Sequence, residues 1–157
     1  MKISLLMIGK TNQDGLGKLI NEYQQRLSHY VSFEMLVVPE LKNIKNIPVA
    51  EQKEREADLL LKQLETSDEV VLLDEKGKLL SSVGFSEYLE KKMLSSTKRL
   101  VFVVGGPFGF SKRMYDRAQY LLSLSPMTFS HQMIRLLFTE QLYRAMTIIR
   151  GENYHHQ

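Results

Sequence analysis

Apolar residues along this chain gather into five short, mostly apolar runs, and the segments between them carry apolar residues at helical spacing instead. The first run, residues 2–8, is closed by Gly9; the later ones cover 33–38, 70–73, 100–104 and 120–124. Runs that are apolar throughout mark strands buried on both faces. After the first run, Leu16, Leu19, Ile20, Tyr23 and Leu27 recur at the spacing of one helix face and predict a helix over 13–30. Pro39 ends the second strand, and Pro48 suits the first turn of a helix reaching about residue 65. The polar DEKGK segment at 74–78 reads as a turn, and Ser81 or Ser82 as the cap of a helix to residue 94. Ser111 caps a short helix, and a last helix runs from Ser130 to Arg150, stopped by Gly151. The order is β-α-β-α-β-α-β-α-β-α. It predicts a single α/β domain over 1–157, with a mostly parallel sheet covered by helices on both faces. Ligands of such sheets bind beyond the carboxyl ends of the strands, which places Leu73–Asp74, Val104–Gly106 and the segment from Leu124 to Phe129 at one rim.

Composition narrows this little. At 157 residues, 43% hydrophobic and 25% charged, the chain suits one core. It has no cysteine, which excludes disulfides and thiolate metal sites. The apolar stretch near Met1 is too short for a secretory signal and no run reaches membrane-spanning length, so the expectation is a soluble, cytoplasmic protein without a membrane partner. Charge is uneven. From Lys98 onward there are eight Lys/Arg against three Asp/Glu, about +5, while residues 1–97 hold thirteen against fifteen, about −2. Any polyanion partner is therefore expected at the last third.

The chemistry-bearing motifs also lie there. Gly105-Gly106-Pro107-Phe108-Gly109 follows a buried strand and is either a tight strand-to-helix turn or a loop that admits a ligand to the backbone. It does not have dinucleotide spacing, which argues against a nicotinamide oxidoreductase. Leu124, Ser125, Pro126, Met127, Thr128 and Phe129 form a loop able to wrap an adenine. His131 can orient a substrate, accept a proton or simply cap. On the last helix, Arg135 and Arg150 have the better claim to phosphates. Tyr154 and His155 can stack on and hydrogen-bond a base. No third ligand accompanies the terminal histidines at metal spacing, so no metal is expected. Glu51, Glu54, Glu56 and Asp58, with Lys53 and Arg55, read as a solvated helix face.

The segments MKISLLMIGK, VVLLDEKGK (70–78), FVVGGPFG (102–109), SLSPMTFSHQMIRLLFTEQLYRA (123–145) and RGENYHH together resemble the family of large-subunit ribosomal RNA methyltransferases that act at N3 of a pseudouridine, within the SPOUT class. The resemblance spans nearly the whole chain. It implies a C-terminal trefoil knot, a homodimer and S-adenosylmethionine held by Leu73, Gly105 and Leu124, Ser125, Pro126, Met127, Thr128 and Phe129. It further implies a substrate side built from His131, Arg144, Tyr154 and His155, with the tail reaching the partner's cofactor and the assembled ribosome as substrate. A non-catalytic RNA- or ribosome-binding protein of the same fold is the rival. Two positions depart from the family pattern: Ser130 stands where proline is usual, and His156 where a basic residue is.

Overall fold

The computed structural model describes residues 1–12 and 14–156. Its elements are β1 (Lys2–Ile8), α1 (Asp14–Leu27), β2 (Ser32–Val38), α2 (Val49–Leu61), β3 (Glu69–Leu79), α3 (Ser82–Leu94), β4 (Arg99–Val104), α4 (Lys112–Arg117), β5 (Tyr120–Ser123) and α5 (Met133–Ile149). The helix start expected at Gln13 lies outside the described residues. All five strands are parallel, in the order β2-β1-β4-β3-β5.

Both faces of the sheet are covered, which is why its central strands are apolar at successive positions. Side chains alternate across a strand. Ile3, Leu5 and Met7 of β1, with Leu100, Phe102 and Val104 of β4, join Leu27 of α1, Phe85 and Leu89 of α3, and Phe138 and Leu142 of α5 in one core. Leu6 and Ile8, with Val101 and Val103, pack on the opposite face against Ala57 and Leu60 of α2 and Met114 of α4. Phe102 is at the centre of the first core, 4.6 Å between ring centroids from Phe138 and 6.0 Å from Phe85.

Three local expectations are corrected. The segment 74–78 is not a simple turn: β3 continues through it to Leu79, and Leu73 and Lys78 both pair with Leu122 of β5, so the residues between bulge outward. Gly77 makes the bulge possible, because a Cβ there would fall 2.6–2.7 Å from backbone atoms of Leu121 and Leu122. Ser111 precedes α4, but its hydroxyl is buried and bonds nothing among the described residues, so it caps by backbone geometry alone. The last helix begins at Met133, not Ser130. Ser130 Oγ accepts the Met133 amide at 3.1 Å, while the Gln132 side chain reaches back to the Lys10 carbonyl and the Asn12 amide, holding residues 131–132 in a turn. Ser81 is the cap of α3, accepting from the Gly84 amide at 3.0 Å, and Gly151 closes α5 with φ +68°.

Gly77→Ala forces backbone apart at the β3–β5 junction, whereas Gly109→Ala has open space and strains only its φ of +78°. The first is expected to lose about 3 kcal/mol of unfolding free energy and the second about 1, measured by denaturant titration.

Candidate active site

The carboxyl ends of β3, β4 and β5 open into one cleft of about 600 Å³. The bulge after Leu73 forms one wall, the glycine turn after Val104 another, and the loop from Leu124 to His131 the third. Leu73, Val104, Leu122, Leu124 and Ile134 make an apolar lining; Lys53, Asp74, Glu75 and Lys76 bring charge to it. The walls are tied to each other. Tyr115 of α4 donates to Asp74 at 2.5 Å, and Thr128 donates to Glu75 at 2.5 Å. Burial and the bond to Asp74 push the Tyr115 hydroxyl up to about 12, so it remains a donor across the ordinary pH range. In the glycine turn the Gly109 amide donates to the Gly106 carbonyl at 3.1 Å. The turn and ligand-loop readings of this motif are therefore compatible, since the tight turn itself faces the cleft.

Arg135 fastens the third wall to the sheet. Its side chain is fully buried and has no carboxylate partner among the described residues. It donates instead to the carbonyls of Ile8 (2.7 Å), Gly9 (2.9 Å) and His131 (3.1 Å) and to Thr11 Oγ1 (3.3 Å). Burial lowers its pKa, opposed by the charge of Glu40. The expectation that Arg135 meets phosphates is thus overturned. A planar five-donor fork can satisfy the carbonyls that the end of β1 leaves without strand partners, and that use withdraws it from solvent.

The tail forms a second cluster. Arg144 lies on α5 about 16 Å beyond Met133 along the helix axis, at 1.5 Å per residue. It makes two bonds to Glu140 Oε1, at 2.6 and 3.1 Å, and these raise its pKa. Tyr154 donates to the same oxygen at 3.0 Å and lies 3.3 Å from the Tyr23 hydroxyl; the Arg144 guanidinium sits 4.7 Å from its ring centroid. His155 Nδ1 is 3.3 Å from Arg144 Nη1. Burial and the bonds to Tyr23 and Glu140 raise the Tyr154 pKa. Arg150 stacks over Tyr30 and donates to the His29 carbonyl.

Of the residues expected to hold a cofactor, Leu73, Gly105, Leu124, Ser125, Met127, Thr128 and Phe129 line the cleft; Pro126 does not. Of those expected on the substrate side, His131 lines it, in the turn before α5. Arg144, Tyr154 and His155 come together with one another but not with the cleft of their own chain. Sequence reasoning missed Lys53, Tyr115 and Glu56. The last is only 5% exposed, so it does not belong to a solvated face. A helical count of the buried positions of α2, at 52, 56, 57 and 60, was the available signal. Among the described residues no group of three or more His, Asp or Glu is placed to hold a metal, and no helix is long and apolar enough to cross a membrane.

A five-stranded parallel sheet covered on both faces, with a cleft across three strand ends, defines an α/β protein whose cleft lies where such sheets take their ligands. A solved structure shares the fold. A probable methylase family protein from Haemophilus influenzae Rd KW20 matches 95% of this chain and 66% of its own at a TM-score of 0.53, with 15% identity. The chain belongs to the SPOUT methyltransferase family, whose model, described as predicted SPOUT methyltransferase, matches residues 1–155. Relatives from Parabacteroides distasonis, Flavobacterium johnsoniae and Bacteroides fragilis are 59%, 55% and 52% identical over the full length of both chains. Each is named ribosomal RNA large subunit methyltransferase H.

Arg135→Met would leave the Ile8 and Gly9 carbonyls unbonded and is expected to cost about 3 kcal/mol in guanidinium unfolding. Glu140→Ala removes the acceptor shared by Arg144 and Tyr154. It is expected to cost about 1 kcal/mol, the cluster being partly solvated, and to speed carboxypeptidase trimming of the tail.

Proposed function

We propose that this protein transfers a methyl group from S-adenosylmethionine to N3 of a pseudouridine in large-subunit ribosomal RNA, acting in the cytoplasm on the assembled ribosome. The observation that carries the reading is the cleft built from three chain segments that meet only at the carboxyl ends of β3, β4 and β5. Its residues fit the donor. Gly105 and Gly106 line the cleft, and the space their side chains would take is filled by Phe110 and the Glu56 carboxylate, which leaves their backbone to face a ligand. Leu73, Leu124 and the loop through Phe129 would cover an adenine, while Asp74 and Glu75 suit positively charged groups. When bound, S-adenosylmethionine supplies an electrophilic methyl group. The chain's own task is then to hold the uridine nitrogen in line with that methyl and to receive the proton it loses. His131, which lines the cleft, would serve for the second.

The protein works as a homodimer in this reading, and the knot implied by the family resemblance belongs to it too. Support comes from where the tail lies. Tyr154, His155 and Arg144 form an ordered cluster whose bonds are internal, yet it is remote from the cleft of the same chain. At the cleft rim, Met127 is 74% exposed and Phe108 50%, with Phe129 beside them. A second copy would cover those apolar side chains and bring its own tail to the methyl donor, completing a composite site.

Incubation with methyl-labelled S-adenosylmethionine and ribosomes lacking the modification is expected to place label on N3 of a pseudouridine. Truncation before Tyr154 should reduce it at least about 100-fold. Binding of the donor without transfer to ribosomes would exclude this substrate. Ribosome binding that ignores the donor would leave a non-catalytic RNA-binding protein.

A further inference from the structure

Positive charge in this protein divides by residue type. Among the described residues every arginine bonds a carboxylate or a backbone carbonyl of its own chain. Of the thirteen lysines only Lys2, Lys92 and Lys112 make ion pairs. The ten that remain are unevenly placed. All five strands run parallel, so every loop leaving the carboxyl end of a strand opens at the end of the molecule that holds the cleft. Lys53 and Lys76 line the cleft, and Lys78 is on the bulge beside it. Lys10, Lys18, Lys42 and Lys45 follow the ends of β1 and β2 at the same end. Only Lys62, Lys91 and Lys98 lie toward the opposite end. Lysines kept merely as a solvated coat have no reason to gather this way.

Carboxylates at the cleft end are mostly occupied by other groups. Asp74 and Glu75 take the Tyr115 and Thr128 hydroxyls, and Glu51 and Glu54 take Arg55 and Arg113. Glu40 lies against Gly9, in the space a side chain there would fill, and Asp14 sits in the first turn of α1. The connection between β2 and α2 covers residues 39–48, longer than the two to six residues such a link commonly needs. Over 41–47 it reads LKNIKNI, an apolar residue followed by Lys-Asn, twice. Leu41, Ile44 and Ile47 are half-buried, while Lys42, Asn43, Lys45 and Asn46 are exposed. Apolar anchors at every third position therefore present two Lys-Asn pairs to solvent. Asn43 holds φ at 58°, a left-handed conformation that asparagine tolerates better than most residues. This loop neighbours the one after β1, where the Gly9 amide donates to the Val38 carbonyl at 2.8 Å. Gln132, beside His131 in the cleft wall, bonds the Lys10 carbonyl at 3.1 Å and the Asn12 amide at 3.2 Å. The lysine-bearing loops are thus fastened to the cleft.

We propose that Lys10, Lys18, Lys42 and Lys45, with the carboxamides of Asn43 and Asn46, form a shoulder that grips the phosphate backbone of structured RNA beside the nucleotide in the cleft. This rests on the methyl-transfer reading and says where its substrate is held outside the cleft. A lysine ammonium is a compact charge on a flexible stem, suited to phosphate oxygens whose exact placement varies. Asparagine N–H groups donate to phosphate and to ribose hydroxyls. Contacts of this kind fix register and orientation without reading sequence. The positive field expected from the last third of the chain is supplied instead by loops of its first half.

The test measures binding to ribosomes lacking the modification across a range of KCl concentrations, alongside methyl transfer to the same particles. One variant combines Lys10→Gln, Lys18→Gln, Lys42→Gln and Lys45→Gln; a control combines Lys62→Gln, Lys91→Gln and Lys98→Gln. A third combines K10R, K18R, K42R and K45R. The shoulder glutamine variant is expected to reduce the slope of log affinity against log salt by about 3, at roughly 0.7 to 0.9 per lost phosphate contact. Its KM for ribosomes should rise at least about 100-fold, with kcat and donor affinity within about twofold of wild type. The arginine variant and the control should keep the wild-type slope. The shoulder is overturned if its glutamine variant keeps that slope, if the control lowers it as much per lysine, or if the arginine variant loses it too. Weaker binding with an unchanged slope would mark a protein contact and overturn it as well. Slopes that differ as expected, with no methyl transfer by wild type, would remove the functional reading and keep the shoulder; transfer with equal slopes would do the reverse.

Discussion

One buried guanidinium holds the site in register with the sheet. A parallel strand at the point where its neighbours stop leaves carbonyls that nothing in the ladder can satisfy, and β1 ends this way at Ile8 and Gly9. Arg135 answers both and bonds the His131 carbonyl with the same fork. The cost of burying an unpaired cation is offset by four donated bonds, which is about what an arginine can make without a carboxylate. The consequence is geometric. The residues before α5 cannot shift without breaking bonds to the end of β1, so the backbone at His131 is tied to the sheet. A site required to place reacting atoms to a fraction of an ångström needs that kind of support.

The same economy governs the glycine turn. At Gly106 the missing side chain makes room for a carboxylate on one side and leaves the backbone open to the cleft on the other. At Gly77 it lets the bulge of β3 lie directly on the backbone of β5. Both are close approaches, and in both any Cβ would occupy space the site uses. The price appears on α2, where Glu56 is buried with one oxygen unbonded, the kind of local disagreement with folding rules that tends to concentrate at functional sites.

How much of this could be read in advance follows from the physics of each element. β1 was legible to the residue because burial on both faces leaves a run in which only Lys2 and Ser4 are polar, and β4 nearly so. The bulge of β3 was not, since DEKGK has the composition of a turn and only pairing with a strand more than forty residues later keeps it extended. The cleft's place was legible from topology alone. Arg135 and Glu56 were not, because a charged residue on an amphipathic helix is nearly always solvated, and the carbonyls and glycine that justify the exceptions are distant in sequence. Tyr154 and His155 were singled out by their residue types and joined to Arg144 by likeness to a family, yet their separation from the cleft follows only from the length of α5.

Charge is where composition misled most, and the reason bears on how a polyanion would be met. The eight cations after residue 97 looked like a basic footprint. Seven of them are engaged within the chain: Arg99 with Asp68, Lys112 with Asp116, Arg113 with Glu54 and Asp58, Arg144 with Glu140, Arg117 and Arg135 with backbone carbonyls, and Arg150 with the His29 carbonyl and the Tyr30 ring. Exposed ion pairs contribute little to stability, but they do cancel the field that a phosphate would feel. What remains at the cleft is Lys53 on α2 and Lys76 on the β3 bulge, neither of which makes an ion pair among the described residues. Two lysines cannot supply the counterion release that drives tight, sequence-independent binding to a nucleic acid. For the proposed substrate and the proposed homodimer, recognition at the cleft itself would then draw on shape and on stacking by the exposed apolar rim, demands that a folded ribosomal particle meets better than free RNA.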